Sequence, residues 1–192
     1  MATAAEGMTM KLAYTLSLAL LIACAPAVPN VTVRSAQSVA PRGDAATLVI
    51  VQPRTRFASV SFLDAEGKLL GQINDRSHTV VTLPPGPMKL YAVWENQYES
   101  SDRIEGTVLA GRTYHATIGF GSGGMAFLSL NPRSPGNRVD HREEWVTATP
   151  RLALDGSKTA QVATGLGDVH AGLALIDAKV EKHDPAHRAD RT

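Results

Sequence analysis

The sequence predicts a mainly β protein, an antiparallel immunoglobulin-like β-sandwich followed by a C-terminal amphipathic α-helix. Three observations lead there. From Thr47 onward, short runs rich in β-branched and aromatic residues recur every 8–12 residues or so, with turn signals between them. Within the runs, apolar and polar residues alternate with the period of 2 that places successive side chains on opposite faces of a sheet. Beyond Asp140 the apolar period lengthens to roughly 3.6, the period of a helix.

The expected strands are TLVIVQ, FASVSFL, KLLGQI, HTVVTL, MKLYAVW, EGTVLA, RTYHATIGF and MAFLSL. Asp64-Ala65-Glu66-Gly67, Pro84-Pro85-Gly86-Pro87 and Ala110-Gly111 separate some of them, and each can reverse the chain. In FASVSFL, Phe57, Ser59, Ser61 and Leu63 share one face, and Ala58, Val60 and Phe62 share the other. In MKLYAVW, Met88, Leu90, Ala92 and Trp94 face one way, with Lys89, Tyr91 and Val93 opposite. Asn131 to Asp140 is a break rich in Pro, Gly and Arg. After it, Val162, Leu166, Val169, Leu173, Ile176 and Val180 form one apolar stripe, predicting a single helix from about Ser157 to Lys182. Ser157 or Asp155 would cap its start, and Lys179 and Lys182 suit the negative end of its dipole. Gly165, Gly167 and Gly172 each cost such a helix about 0.8–1 kcal/mol relative to Ala. The stripe therefore calls for tertiary support, by docking on the sandwich or by pairing with a second copy.

The N-terminal segment reads as an address. Leu12 to Ala23 is an apolar run interrupted only by Tyr14, Thr15 and Ser17, preceded by Lys11. As a helix it would be about 18 Å long, against a bilayer core of about 30 Å, which fits an export signal better than a membrane span. Met8 and Met10 offer later starts, and from Met10 the chain opens as a compact signal, MKLAYTLSLALLIAC. The run ends on the sole cysteine. Leu21-Ile22-Ala23-Cys24 resembles the lipobox of bacterial lipoproteins, which implies acylation of Cys24 and cleavage before it. Several acyl chains anchor a protein stably where one is marginal. The rival reading is ordinary signal cleavage after Ala27, at the A-x-A pattern Ala25-Pro26-Ala27.

The expected organisation is a lipoprotein signal peptide over 1–23, a flexible tether over 24–45, a β-sandwich domain over 46–131, a C-terminal extension with its helix over 132–182, and a disordered tail over 183–192. The tether, rich in Ala, Pro and Ser, would let the domain stand off the membrane. The chain after the signal is long enough for one domain with a proper core. A formal net charge of +1 gives no footprint for nucleic acid.

The segments LPPGPMKLYAVW and VLAGRTYHATIGF resemble a family of bacterial envelope lipoproteins built on an uncharacterised β-sandwich domain. The shared features are an apolar opening strand, here TLVIVQPRTRF, a short hairpin with a small-residue turn, a Leu-Pro-Gly turn, and a turn of glycine, basic residue, any residue, tyrosine. The resemblance covers roughly Ala46 to Asn131, and more loosely Trp145 to Arg151. Its motifs belong to turns and core, so it implies fold and location and transfers no catalytic residue.

The candidates for chemistry each have a plainer account. His78 and His115 lie in expected strands and would meet if those strands paired, but a zinc site wants three or four converging ligands. His183 and His187, beside Asp184, belong to the polar tail. Gly119 to Gly124 (GFGSGG) lacks the Lys and Ser/Thr of a phosphate loop and leads into a strand, so it reads as a hairpin loop with Phe120 near its tip. No GxSxG motif occurs. Glu143 and Glu144, next to Trp145, are adjacent in sequence and on a helix would not face one point. Tyr91, Trp94 and Tyr98 suggest a ligand platform or, more plainly, core and rim. The expectation is no catalytic residue, no metal site, no cofactor, and one modification site, Cys24.

The expected function is that of a lipid-anchored envelope protein of a Gram-negative bacterium with a non-catalytic binding or scaffolding role. Ala25 after the cysteine, in place of an aspartate, favours the outer membrane facing the periplasm. Its partners would be the membrane and another envelope protein or the cell wall. The alternative is a periplasmic small-ligand binder or hydrolase using the His-bearing and aromatic strands.

Overall fold

The computed structural model describes residues 30–35, 43–53, 59–95, 97–120, 126–130 and 142–183. The signal segment, Cys24, the Asn131–Asp140 break, the loop 121–125 and the tail with His187 lie outside these residues. The strands are β1 (Thr32–Arg34), β2 (Ala46–Gln52), β3 (Ser59–Leu63), β4 (Leu69–Asn74), β5 (Ser77–Leu83), β6 (Gly86–Trp94), β7 (Asp102–Val108), β8 (Thr113–Phe120), β9 (Ala126–Leu130) and β10 (Arg151–Leu154). A 3₁₀ turn spans Tyr98–Ser100, and the helices are α1 (Arg142–Ala148), α2 (Thr159–Leu166) and α3 (Val169–His183).

All eight expected strands are present as β2 to β9. They divide into two sheets, one ordered β1-β10-β5-β2-β8-β9 and the other β4-β3-β6-β7. The expectation of an antiparallel sandwich needs correcting, because β2 pairs parallel with β8, and β5 parallel with β10. The order also differs from the immunoglobulin one, in which the first strand lies beside the second; here β2 lies between β5 and β8 while β3 belongs to the other sheet. The apolar character of β2 accounts for this. Every residue of β2 is buried, so ATLVIVQ takes a central position with strands on both sides.

The tether and domain boundaries need correcting as well. Thr32–Arg34 is a strand, antiparallel to β10, and β10 pairs in turn with β5. Chain on both sides of the expected 46–131 domain therefore completes its larger sheet. The turn motifs act as read. Gly111 has φ 70°, and Tyr114, three residues on, accepts the Leu109 N–H on its hydroxyl at 3.0 Å, closing the turn into β8.

Two cores follow from the alternation. Leu48 and Ile50 of β2, Val60 and Phe62 of β3, Ile73, Val81, Met88, Leu90, Ala92, Ile104, Ala116 and Ile118 are buried together between the sheets. The other face of the smaller sheet supplies Leu63, Tyr91 and Val93, which pack with Val31 and with Val162, Leu166, Leu173 and Ile176 of α2 and α3. Val169 and Val180 complete the stripe against the same cluster. All six stripe residues thus dock on the sheet. No helix among the described residues is long and apolar enough to cross a membrane.

The stripe belongs to two helices, where the sequence predicts one. Gly167 adopts φ 67° and ψ −139°, a conformation reserved for glycine, and ends α2. Asp168 then caps α3, its Oδ1 accepting the Ala171 N–H at 3.0 Å. At the start of α2, Asp155 serves the preceding turn, accepting from the Ser157 N–H at 3.1 Å and from its hydroxyl at 2.6 Å. The 4, 3, 4, 3, 4 spacing runs through the corner because both helices face the same sheet. Tyr98 holds that corner. Its hydroxyl donates to the Leu166 carbonyl at 2.9 Å, and its ring lies where a Cβ on Gly172 would come within 2.3 Å.

Gly172→Ala reports on that contact. At an exposed helix site the change would stabilise by about 1 kcal/mol; here overpacking against Tyr98 should destabilise by about 1–3 kcal/mol. Denaturant melts of the single variants and of the double variant with Tyr98→Ala should be strongly non-additive. Leu173→Asp, placing a charge in the second core, should cost about 2–4 kcal/mol. A folded variant with an unchanged melt would overturn the docking.

Candidate functional site

The alternation of β6 and β7 sets polar groups beside the second core. Tyr91 pairs with Arg103 and Lys89 with Glu105 across these antiparallel strands, so two rows on the outward face bring a phenol, two cations and a carboxylate together. Helix α3 lowers Asp177, one residue beyond the buried Ile176, onto this patch. Its Oδ2 accepts from Lys89 Nζ at 2.8 Å, and its Oδ1 from the Tyr91 hydroxyl at 2.9 Å and from Arg103 Nη1. Arg103 is 6% exposed and extends Nη2 to Glu105 at 3.3 Å and toward Glu181 at 4.0 Å. Lys89 Nζ also lies 5.4 Å from the centre of the Tyr91 ring, within cation–π range.

Burial alone would raise the Asp177 pKa. The hydrogen bonds from Lys89, Arg103 and Tyr91, together with the Arg103 charge, outweigh it and hold the carboxyl below its ordinary value. Burial raises the Tyr91 pKa, so the phenol keeps its proton and donates it to the carboxylate. Arg103 is held above its ordinary value, since the Asp177 bond overrides the cost of burial. Each charge has an opposite one in contact. The arrangement suits a fastener between helix and sheet better than a group that exchanges protons with a substrate. A second clamp lies two residues on. Lys179 Nζ donates to the Ser101 carbonyl and to that of Glu99 at 3.3 Å, tying α3 to the end of the 3₁₀ turn.

The residues singled out from sequence disperse. His78 and His115 both lie on the outward face of the larger sheet, opposite Val51 and Val49 respectively, so β2 runs between them. Two strand spacings of about 4.8 Å separate their strands. His78 is buried within a short relay: the Thr149 hydroxyl donates to the Trp145 carbonyl at 2.7 Å, so the His78–Thr149 bond of 2.9 Å is donated by Nδ1–H. Burial, aided by the Arg151 charge, lowers the His78 pKa against the opposing effect of a hydrogen bond to the Thr149 backbone. Among the described residues no group of three or more His, Cys, Asp and Glu is placed to hold a metal ion.

The aromatic trio divides between the two cores. Trp94 packs on the core between the sheets, while Tyr91 and Tyr98 both join the second core, Tyr91 reaching the Asp177 patch and Tyr98 lying under the helix corner, where burial and the Asp168 charge push its pKa up to about 12. Glu143 and Glu144 fall on α1, as expected of a helical start. β8 and β9 pair from Phe120 with Ala126, which makes the glycine-rich stretch the link of a hairpin, although residues 121–125 lie outside the described ones. Reading the sequence singled out none of Arg103, Asp177 and Tyr98's corner role. The available signal was the outward face of MKLYAVW, where Lys89 and Tyr91 sit among residues that the helix stripe had to cover.

The Asp177 patch gives a signed pH dependence. A depressed carboxyl stabilises the fold above its unfolded pKa near 3.8, and that contribution is lost as pH falls through the lower, folded value. Asp177→Asn, which leaves Arg103 buried without its carboxylate, should cost about 1.5–3 kcal/mol at pH 7. The gap between wild type and variant should close as the pH drops below about 4, measured by thermal melts across a pH series.

No family model matches the chain, and no curated protein does. Among solved structures, one described as an NMR structure of the protein from Eubacterium rectale is similar to it at a TM-score of 0.32 and 11% identity, over 49% of this chain and 94% of that one. A likeness of that size carries no argument about fold or function.

Proposed function

We propose that this chain is a lipid-anchored protein of the bacterial cell envelope whose sandwich-type domain works by binding or scaffolding. The observation that carries the reading is Leu21-Ile22-Ala23-Cys24, the only thiol of the sequence, at the end of a short apolar run behind Lys11. Acylation of a thiol at the membrane surface before the signal is cut turns that residue into an anchored N-terminus. The fold suits such a role. Lys89, Tyr91 and Arg103 of the smaller sheet fasten α3, and Trp94 packs on the core between the sheets. Ala25, after the cysteine, favours the outer membrane and its periplasmic face. The partner on this reading is another envelope protein or the cell wall, and affinity capture from crosslinked envelopes would identify which.

Replacing Cys24 with Ser should abolish labelling by radioactive palmitate and leave the protein either uncleaved or cut after Ala27. A wild-type protein that carries no acyl mass and begins at Val28 would overturn the anchor and leave the fold untouched.

A further inference from the structure

We propose that α1 is an acid-released flap on the larger sheet, with His78 as the group whose protonation lets it lift. A helix of 7 residues is too short to stand in water by itself, so its contacts decide whether it stays in place. It packs against β2, and its C-terminal end is tied to β5 through one ring. His78 Nδ1 bonds to the Thr149 hydroxyl at 2.9 Å, and that hydroxyl donates to the Trp145 carbonyl at 2.7 Å, so the ring grips the last turn through the residue that follows it. The chain then enters β10, where the Pro150 carbonyl accepts the His78 N–H at 3.1 Å. His78 is 7% exposed, set between its register partners Val51 of β2 and Arg151 of β10. Val49 and Val51, on the same outward face of β2, are buried as well.

Because Nδ1–H already serves Thr149, Nε2 is the atom that takes an added proton, and the ring becomes a cation in a closed site. The charges around it do not welcome one. Arg151 stands opposite on β10, Arg76 just before β5, and His115 beyond β2 on β8, while β2 itself carries no titratable residue. Arg142, Glu143 and Glu144 belong to the first turn of α1, at the other end from Thr149. Burial and the Arg151 charge lower the His78 pKa from its ordinary 6.5, outweighing the bond to the Thr149 backbone. Above about pH 6.5 the ring is neutral whether α1 is down or lifted, and the contact has its full strength. Below it the lifted form, with the ring in water, binds the proton first, favouring lifting by up to about tenfold per pH unit until the closed form protonates too. The response is local, because the first core lies between the sheets and the second beyond the smaller one, both away from this face. Lifting α1 uncovers the outward face of β2 and leaves the sandwich assembled.

The test uses the full chain in a mild non-ionic detergent at about pH 7.5 and pH 5, above the range in which the Asp177 patch titrates. Amide hydrogen exchange of Val146, Thr147 and Ala148, divided by the intrinsic rate at each pH, reads the lifting of α1, and that of Val60 and Leu90 reads the sandwich. Wild type should lose protection over α1 several-fold at the lower pH, with about thirtyfold as the ceiling for one proton of ordinary pKa 6.5, while Val60 and Leu90 keep theirs. In His78→Gln, which cannot take the proton, the loss over α1 should vanish. Should that variant fail to fold, an NMR titration of the wild-type ring decides, since its midpoint has to fall below 6.5 and the loss over α1 has to develop between that midpoint and 6.5. Protection of α1 that does not change with pH, an equal loss in His78→Gln, a loss shared by Val60 and Leu90, or a ring that titrates at 6.5 or above overturns the switch.

Discussion

A guanidinium buried between a sheet and a helix has to find its counter-charge there, and Arg103 finds it in Asp177. That constraint fixes α3 in both register and height. Ile176, one residue earlier, enters the second core, while Asp177 reaches the Tyr91–Arg103 row and Lys89. The ion pair alone is weak grounds for stability, because desolvation offsets much of its attraction. Its effect is on placement. A helix shifted by one residue would turn the carboxylate toward the apolar cluster and take from Arg103 the partner of its Nη1.

With α3 fixed, the smaller sheet is covered on both faces. Its inward residues, from Val60 to Ile104, build the core with the larger sheet, and its outward residues build a second core with the helices. Val31 joins that second core from the N-terminal side, and Asp155 hydrogen-bonds to it from the segment leading into α2. The beginning of the described chain is thereby joined to the segment that follows β10. The corner between the helices depends on small residues: Gly167 for its backbone and Gly172 for the space that Tyr98 fills. Glycines that weaken a helix in isolation are here what lets two helices turn over one sheet.

The same layout shapes the functional reading. The chain is fastened into the domain from Val31, which bonds to Gln72 and Asp155, where the sequence suggested a tether running to residue 45. Several polar groups are engaged in packing: His78 in its relay with Thr149, Asp177 with three donors, Lys179 with the carbonyls of the 3₁₀ turn.

Eight strands, the inward and outward faces of β3 and β6, and the six stripe residues were legible in the sequence, because each is a local periodicity with a known rise and repeat. β1 and β10 were not, since three and four residues are too few to show a period and they become strands only by pairing with each other and with β5. The parallel pairing of β2 with β8 was equally hidden, because alternation says which face is buried and nothing about which strand lies alongside. Nor does a stripe reveal a corner: Gly167 and Asp168 interrupt the helix while the stripe continues, both halves being read by one sheet. The Arg103–Asp177 contact joins residues 74 positions apart, and only the packing of α3 over β6 and β7 brings a buried cation and its carboxylate within reach.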